Sequence, residues 1–238
     1  MILHYAAGSA HSAAVRIALA EKGVAAEERR VDLARFTQHA PEFLALGSGG
    51  TVPVLEHDGQ MMGDSFALML FLDETYPAPP LAGRDPATRD RVRDWGRFVE
   101  THIAPNLATV RWQALGGKVP EAAREAIERL PPGRRDLWLQ AAAGFAPERL
   151  AQAAQALLAA GKRIAAELEA GAWLAGDAFT LADIAAFPHL HQFSALGLAV
   201  PPSVEAWLAR VAARPSVAAI RADLFPLATM GPEPGRWA

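Results

Sequence analysis

A proline stands inside the run Thr51-Val52-Pro53-Val54-Leu55, where the neighbouring residues read as a short buried strand. Proline has no N–H to give a ladder, so it belongs at an edge, a strand start or a special turn. One solution is a cis Val52-Pro53 bond, which turns the chain sharply at the strand entry and exposes a backbone N–H and C=O. Asp58-Gly59, at the centre of His57-Asp58-Gly59-Gln60, predicts a hairpin. Asp64 and Ser65 then open an apolar-periodic run, Phe66 to Tyr76, that stops at Pro77, the pattern of a helix N-terminus. A free backbone pair beside an N-terminal Asp-Ser is a site for an amino-acid-like ligand.

The 238 residues can form one large domain or two modest ones. Residues 1–77 alternate short apolar runs with helical patterns. Ile2 to Tyr5 and Glu27 to Val31 read as strands, with a helix over Ser12 to Lys22 between them. A short helix near Pro41 to Leu46, strand Val54-Leu55-Glu56, Met61-Met62 and a helix over Ser65 to Thr75 follow. A β-α-β unit followed by a hairpin and a helix predicts an α/β domain with a mixed sheet.

Pro77-Ala78-Pro79-Pro80 cannot continue a helix, so residues 78–86 read as a linker. Residues 87–238 show no convincing strand and predict an all-α helical bundle. Val92, Trp95, Phe98, Val99, His102 and Ile103 mark one apolar stripe on a helix from Arg89 to Trp112, with a kink at Pro105. Further helices are expected over Glu121 to Leu130, Pro147 to Leu168, Asp177 to Leu190, Pro202 to Ala213 and Ser216 to Asp223. Pro131, Pro132 and Gly133 punctuate the long segment from Lys118 to Phe145.

A net charge of −3 gives no electrostatic reason to expect nucleic acid or an anionic membrane as partner. No run approaches the roughly 18 apolar residues of a membrane span, and Met1 to Tyr5 does not read as a signal peptide. A cytoplasmic chain is expected. With zero cysteines there are no disulfides, no thiolate metal sites and no cysteine nucleophile. If the protein works on a thiol, the ligand brings it. His189 and His191 flank Leu190 and point in different directions on a helix, so no metal pair is expected there.

The motifs together resemble the glutathione S-transferases. Leu3-His4-Tyr5, Gly8-Ser9-Ala10-His11-Ser12 and Val15-Arg16-Ile17-Ala18-Leu19-Ala20-Glu21-Lys22-Gly23 are similar to the first strand, loop and helix of that family's thioredoxin-like domain. Thr180-Leu181-Ala182-Asp183 resembles the capping box that opens a core helix of its helical domain. The resemblance implies glutathione as co-substrate, a small-molecule electrophile, aromatic on the etherase reading below, and a homodimer. The missing cysteines rule out the family's cysteine-type members.

The resemblance also assigns roles. Val52, ahead of Pro53, would present its backbone to the cysteinyl amide, and Ser65 its hydroxyl and helix N–H groups to the γ-glutamyl carboxylate. Asp64 would pair with the ammonium, the bland alternative being that Asp64-Ser65 only caps a helix. Ser9 matches the serine that activates the thiol in theta- and zeta-like members, with Ser12 as the ordinary N-cap. Lignin β-aryl-etherases carry Asn-Ser where His11-Ser12 stands, so Ser12 competes.

Phe36-Thr37-Gln38-His39, with Pro41 and Phe43, also resembles the etherases, and Gln38 or His39 would contact the glycine end. Ser48-Gly49-Gly50 stands where many relatives carry Lys or Arg, which weakens the expected clamp on the glycine carboxylate. His102, Asn106 and Val110 recur at helical spacing and are expected to line the electrophile pocket, core packing being the default for Val110. The reaction implied is thiolate attack on an electrophilic carbon, either cleaving a β-aryl ether or, alternatively, conjugating a broad range of electrophiles. A non-catalytic interaction module on the same fold is the third reading.

Overall fold

A computed structural model describes residues 1–114, 116, 119 and 121–224. Four strands form one mixed sheet in the order β2-β1-β3-β4: β1 (Ile2–Tyr5), β2 (Glu27–Arg30), β3 (Val54–His57) and β4 (Gln60–Met62). β1 pairs parallel with β2 through the crossover helix α1 (Ala10–Lys22), and antiparallel with β3, which forms the expected hairpin with β4. Leu3 and Tyr5 alternate with His4 on β1 and turn into the core. β2 has no buried residue, and its Glu-Glu-Arg-Arg sequence blunts an open edge with charge.

α1 begins earlier than expected. Ser9, not Ser12, is its N-cap, because the Ser9 Oγ accepts from the Ser12 N–H at 3.2 Å. Gly23 ends the helix in the left-handed conformation at φ 64°. α2 (Pro41–Leu44) and α3 (Ser65–Thr75) complete this half. Leu81 is buried in the stretch after α3, and its carbonyl accepts from Leu181 N–H at 2.9 Å. Lys22 and the Leu81 and Ala82 N–H groups converge on Asp73, tying that stretch to α1 and α3 as well.

The expected helix from Arg89 to Trp112 is two helices, α4 (Pro86–Phe98) and α5 (Ala104–Ala114), joined by a wide π turn over Val99–Ile103. Pro105 follows that turn at once. A proline takes an intrahelical donor away, and the wider turn absorbs the missing bond. The punctuated segment supplies α6 (Glu121–Glu128) and α7 (Pro132–Ala143), while Lys118 lies outside the described residues. α8 (Pro147–Ala170), α9 (Leu181–Leu190), α10 (Pro202–Ala212) and α11 (Pro215–Ala218) close the bundle. Residues 225–238 also lie outside the described ones.

α1 packs against α3 on one side and α9 on the other, so one apolar core runs from Leu3 through Leu55 and Leu72 to Phe187 and Trp207. The capping box at Thr180 and Asp183 is present, but α9 starts at Leu181 rather than Asp177. Asp183 is fully buried and accepts from Thr180 N–H, Leu174 N–H and Trp207 Nε1 at 3.0, 3.1 and 2.9 Å. Removing its carboxylate strands several buried donors, each costing about 1–3 kcal/mol. Asp183→Ala is therefore expected to lower the unfolding free energy by more than about 3 kcal/mol in urea titration. A loss below about 1 kcal/mol would contradict the anchoring role.

Candidate functional site

Two short segments meet at the head of the site. Asp64 lies at φ 62°, a backbone region rare for side chains other than Asp and Asn, and its Oδ1 accepts from the Phe66 and Ala67 N–H groups at 3.0 Å each. The capping alternative is thus realised at one oxygen of the carboxylate. Ser65 is buried, and its Oγ donates to Glu100 Oε1 at 3.2 Å. Glu100 Oε2 lies 3.2 Å from His11 Nε2. Burial opposes the Glu100 charge, but the His11 hydrogen bond and neighbouring charges outweigh it and hold the carboxyl below its usual range. His189 donates from Nδ1 to the Ala185 carbonyl at 3.0 Å and meets His11 edge-on at 4.9 Å. Burial, and then His11, push His189 well below the usual histidine range.

The first loop presents its serines differently. The Ser9 oxygen accepts from Ser12 N–H, which leaves its hydroxyl proton to point elsewhere. Ser12 is fully buried, and its Oγ accepts from Ala6 N–H at 3.2 Å. Arg111 Nη1 donates to the Gly8 carbonyl at 3.0 Å from α5. Val52-Pro53 is a cis bond just ahead of β3.

At the opposite end, Gln38 and His39 are buried in a 3-10 turn over Thr37–His39. Trp138 of α7 sits 4.8 Å from Phe36 and 5.7 Å from His39 between ring centroids. Arg134, one turn earlier on α7, donates from Nη2 to the Gly50 carbonyl at 2.9 Å. A cavity of about 270 Å³ between α6 and α7 is lined by Val119, Ile127, Trp138, Leu139, Ala142 and Ala143 among others.

The three expected pocket residues differ in exposure. Val110 is fully buried in the core and offers no open surface. His102 is exposed and stacked on Phe98 at 4.9 Å, and Asn106 donates to the His102 carbonyl at 2.7 Å. Glu100 and Arg111 of this rod meet the first loop, while His102, in the same π turn as Glu100, is exposed against Phe98. Among the described residues no group of three or more acidic or histidine side chains is arranged to hold a metal.

The descriptions "Glutathione S-transferase, N-terminal domain" and "Glutathione S-transferase, C-terminal domain" match residues 3–80 and 147–210. A maleylacetoacetate isomerase of Rhizobium meliloti is 33% identical over 186 residues, 77% of this chain and 77% of that protein. The chain belongs to the glutathione S-transferase family. Glutathione is its co-substrate. Protein LigF of Sphingobium sp. is 28% identical over 216 residues, 84% of each chain. The crystal structure of the β-etherase LigF superimposes with a TM-score of 0.84, 26% identity, 93% of this chain and 99% of that one. Gtt2 of Saccharomyces cerevisiae gives a TM-score of 0.73 at 25% identity, over 92% of this transferase and 100% of that chain.

Within the transferase, local motifs drew attention to Ser9, His11, Val52, Asp64 and Ser65, but not to Glu100, Arg111 or Arg134, which meet these segments from distant sequence. Trp112 and Trp138, 5.3 Å apart, join α5 to α7 over a separation in the chain that no local motif spans.

Burial, and then the charge of Arg134, lower the His39 pKa from 6.5 to about 4. The folded state therefore favours neutral His39. This contribution is complete above about pH 6.5 and is lost as pH falls toward about 4, by up to about 1.4 kcal/mol per unit. His39→Gln is expected to flatten the fall of Tm between those limits in thermal melts. An unchanged slope would contradict it.

Proposed function

We propose that this transferase activates glutathione through Ser9 and uses the thiolate to cleave β-aryl ethers activated by an adjacent ketone. The observation that carries the reading is the likeness to the β-etherase LigF across nearly the whole chain. The Phe36 to Phe43 loop adds to it, since its Phe36 and His39 rings pack beneath Trp138 and give that end of the site an aromatic wall.

An unperturbed thiol ionises near about 8.5, so attack at neutral pH needs a donor that favours the thiolate. Ser9 fits that role because its oxygen is occupied as a cap while its proton remains available, and the start of α1 adds a favourable dipole. Ser12 fits less well, being fully buried with its oxygen turned to Ala6. Ser65 and the second carboxylate oxygen of Asp64 serve the γ-glutamyl head, the Val52 backbone serves the cysteinyl amide, and Gln38 and His39 border the glycyl end. The thiolate sulfur bonds to the carbon that bears the aryloxy group and sits α to the ketone. The carbon–oxygen bond breaks, its electron pair leaves on the phenolate, and the phenolate takes a proton from solvent. No covalent enzyme intermediate is required.

The broader alternative, a general conjugating transferase, is supported by the likeness to Gtt2 of Saccharomyces cerevisiae. The family likeness alone extends the reading to a cytoplasmic homodimer, and a monomer mass in sedimentation would remove that part. Among the described residues no helix is long and apolar enough to cross a membrane.

Incubation with glutathione and a fluorogenic β-aryl ether ketone, beside a chloronitrobenzene, is expected to release the phenol from the ether. Conjugation of the chloroarene alone would leave the general transferase. Ser9→Ala is expected to raise the pKa of bound thiol by about one to two units, the loss of one hydrogen bond to an anion. A shift produced by Ser12→Ala instead, read from thiolate absorbance across pH, would transfer the role to Ser12.

A further inference from the structure

We propose that Arg134, carried by the helical half on α7, is the clamp for the glycyl carboxylate of glutathione. The proposal rests on glutathione being the co-substrate and deepens the reading of that site. It assigns a residue that no motif of the glutathione-binding half supplies, for Ser48-Gly49-Gly50 brings no cation to the stretch before Val52.

Three observations converge on Arg134. Its guanidinium is seated on the glycyl side of the site, donating from Nη2 to the Gly50 carbonyl, two residues before Val52. Its Nε is buried with no acceptor. Arg134 is half-buried, a single carbonyl only partly compensates its charge, and among the described residues no carboxylate forms an ion pair with it. A planar fork with unused donors fits a carboxylate, which accepts two parallel hydrogen bonds and supplies the missing negative charge.

The surroundings fix where that carboxylate must lie. A Cβ on Gly50 would approach His39 Nδ1 to 2.4 Å and the Gln38 carbonyl to 3.4 Å, so Gly50, Gln38 and His39 form one tight wall beneath the guanidinium. His39 is neutral near pH 7 and cannot supply the charge itself. Trp138, four residues along α7, packs on Phe36 and His39 and holds the helix over this wall. The insert between α5 and α8 therefore replaces a basic residue absent from the loop before β3.

The test compares glutathione with γ-glutamylcysteine, which lacks the glycyl carboxylate, by isothermal titration on the full chain. The wild-type protein is expected to bind glutathione at least about tenfold more tightly, the usual strength of a hydrogen bond to a charged group. Arg134→Ala and Arg134→Gln are expected to weaken glutathione by about tenfold or more and to leave γ-glutamylcysteine within about twofold. The glutamine variant keeps a donor for Gly50, so it separates the clamp from support of the loop. Equal loss for both ligands would assign Arg134 to loop support and overturn the proposal. Equal affinity of the wild-type protein for the two ligands would overturn it even if neither variant folds. Failure of both ligands to bind the wild-type protein would instead overturn the glutathione site itself.

Discussion

A guanidinium pressed against one carbonyl of the first loop organises this molecule. Arg111 is drawn out of water onto the Gly8 oxygen, and burial alone pushes its pKa below the usual arginine range. A withdrawn cation needs acceptors with fixed geometry; Arg111 also reaches Gln192 Oε1 at 3.5 Å, and its bond to Gly8 ties the loop between β1 and α1 to α5. Gly8 N–H is held in turn by the Asp223 carbonyl at 2.8 Å. With both its polar groups fixed, Gly8 delivers Ser9 to the N-terminus of α1. Eleven residues earlier, about three helical turns along the same rod, Glu100 reaches His11 and Ser65. One helical rod thus holds the first loop and the start of α3 together.

Charge is distributed around the site with equal economy. His39 and His189 are both pushed below their ordinary range by burial, so neither adds a proton's charge near pH 7. The permanent cations are arginines from the helical half, one at the first loop and one at the Gly50 turn. On the proposed reading, that fixed positive charge would meet an anionic tripeptide while His39 and His189 stay neutral, and a hydroxyl and the start of α1 would stabilise the thiolate.

What the sequence disclosed follows from how far each interaction reaches along the chain. The strand broken by Pro53, the Asp58-Gly59 hairpin and the Thr180 to Asp183 cap are decided within a few residues, and the structure contains each. Ser9 and Ser12 were harder to separate as caps, because the alanines between and after them give no apolar onset to mark the first turn. Periodicity showed that residues 102, 106 and 110 follow helical spacing but not which way that side points. Glu100 and His102 both lie in the π turn, whose wider winding shifts the helical register between them and α5. Glu100 with His11, and Arg134 with Gly50, join positions 89 and 84 residues apart, and no local pattern encodes such a meeting.

The central claim is that these two halves together form a glutathione site, and thermal unfolding of the whole chain with and without glutathione tests it most directly. Glutathione at 100 times its dissociation constant is expected to add about 2.7 kcal/mol of stability, a clear and saturable rise in Tm. An unchanged Tm at millimolar glutathione would contradict the account and leave the fold as an interaction module.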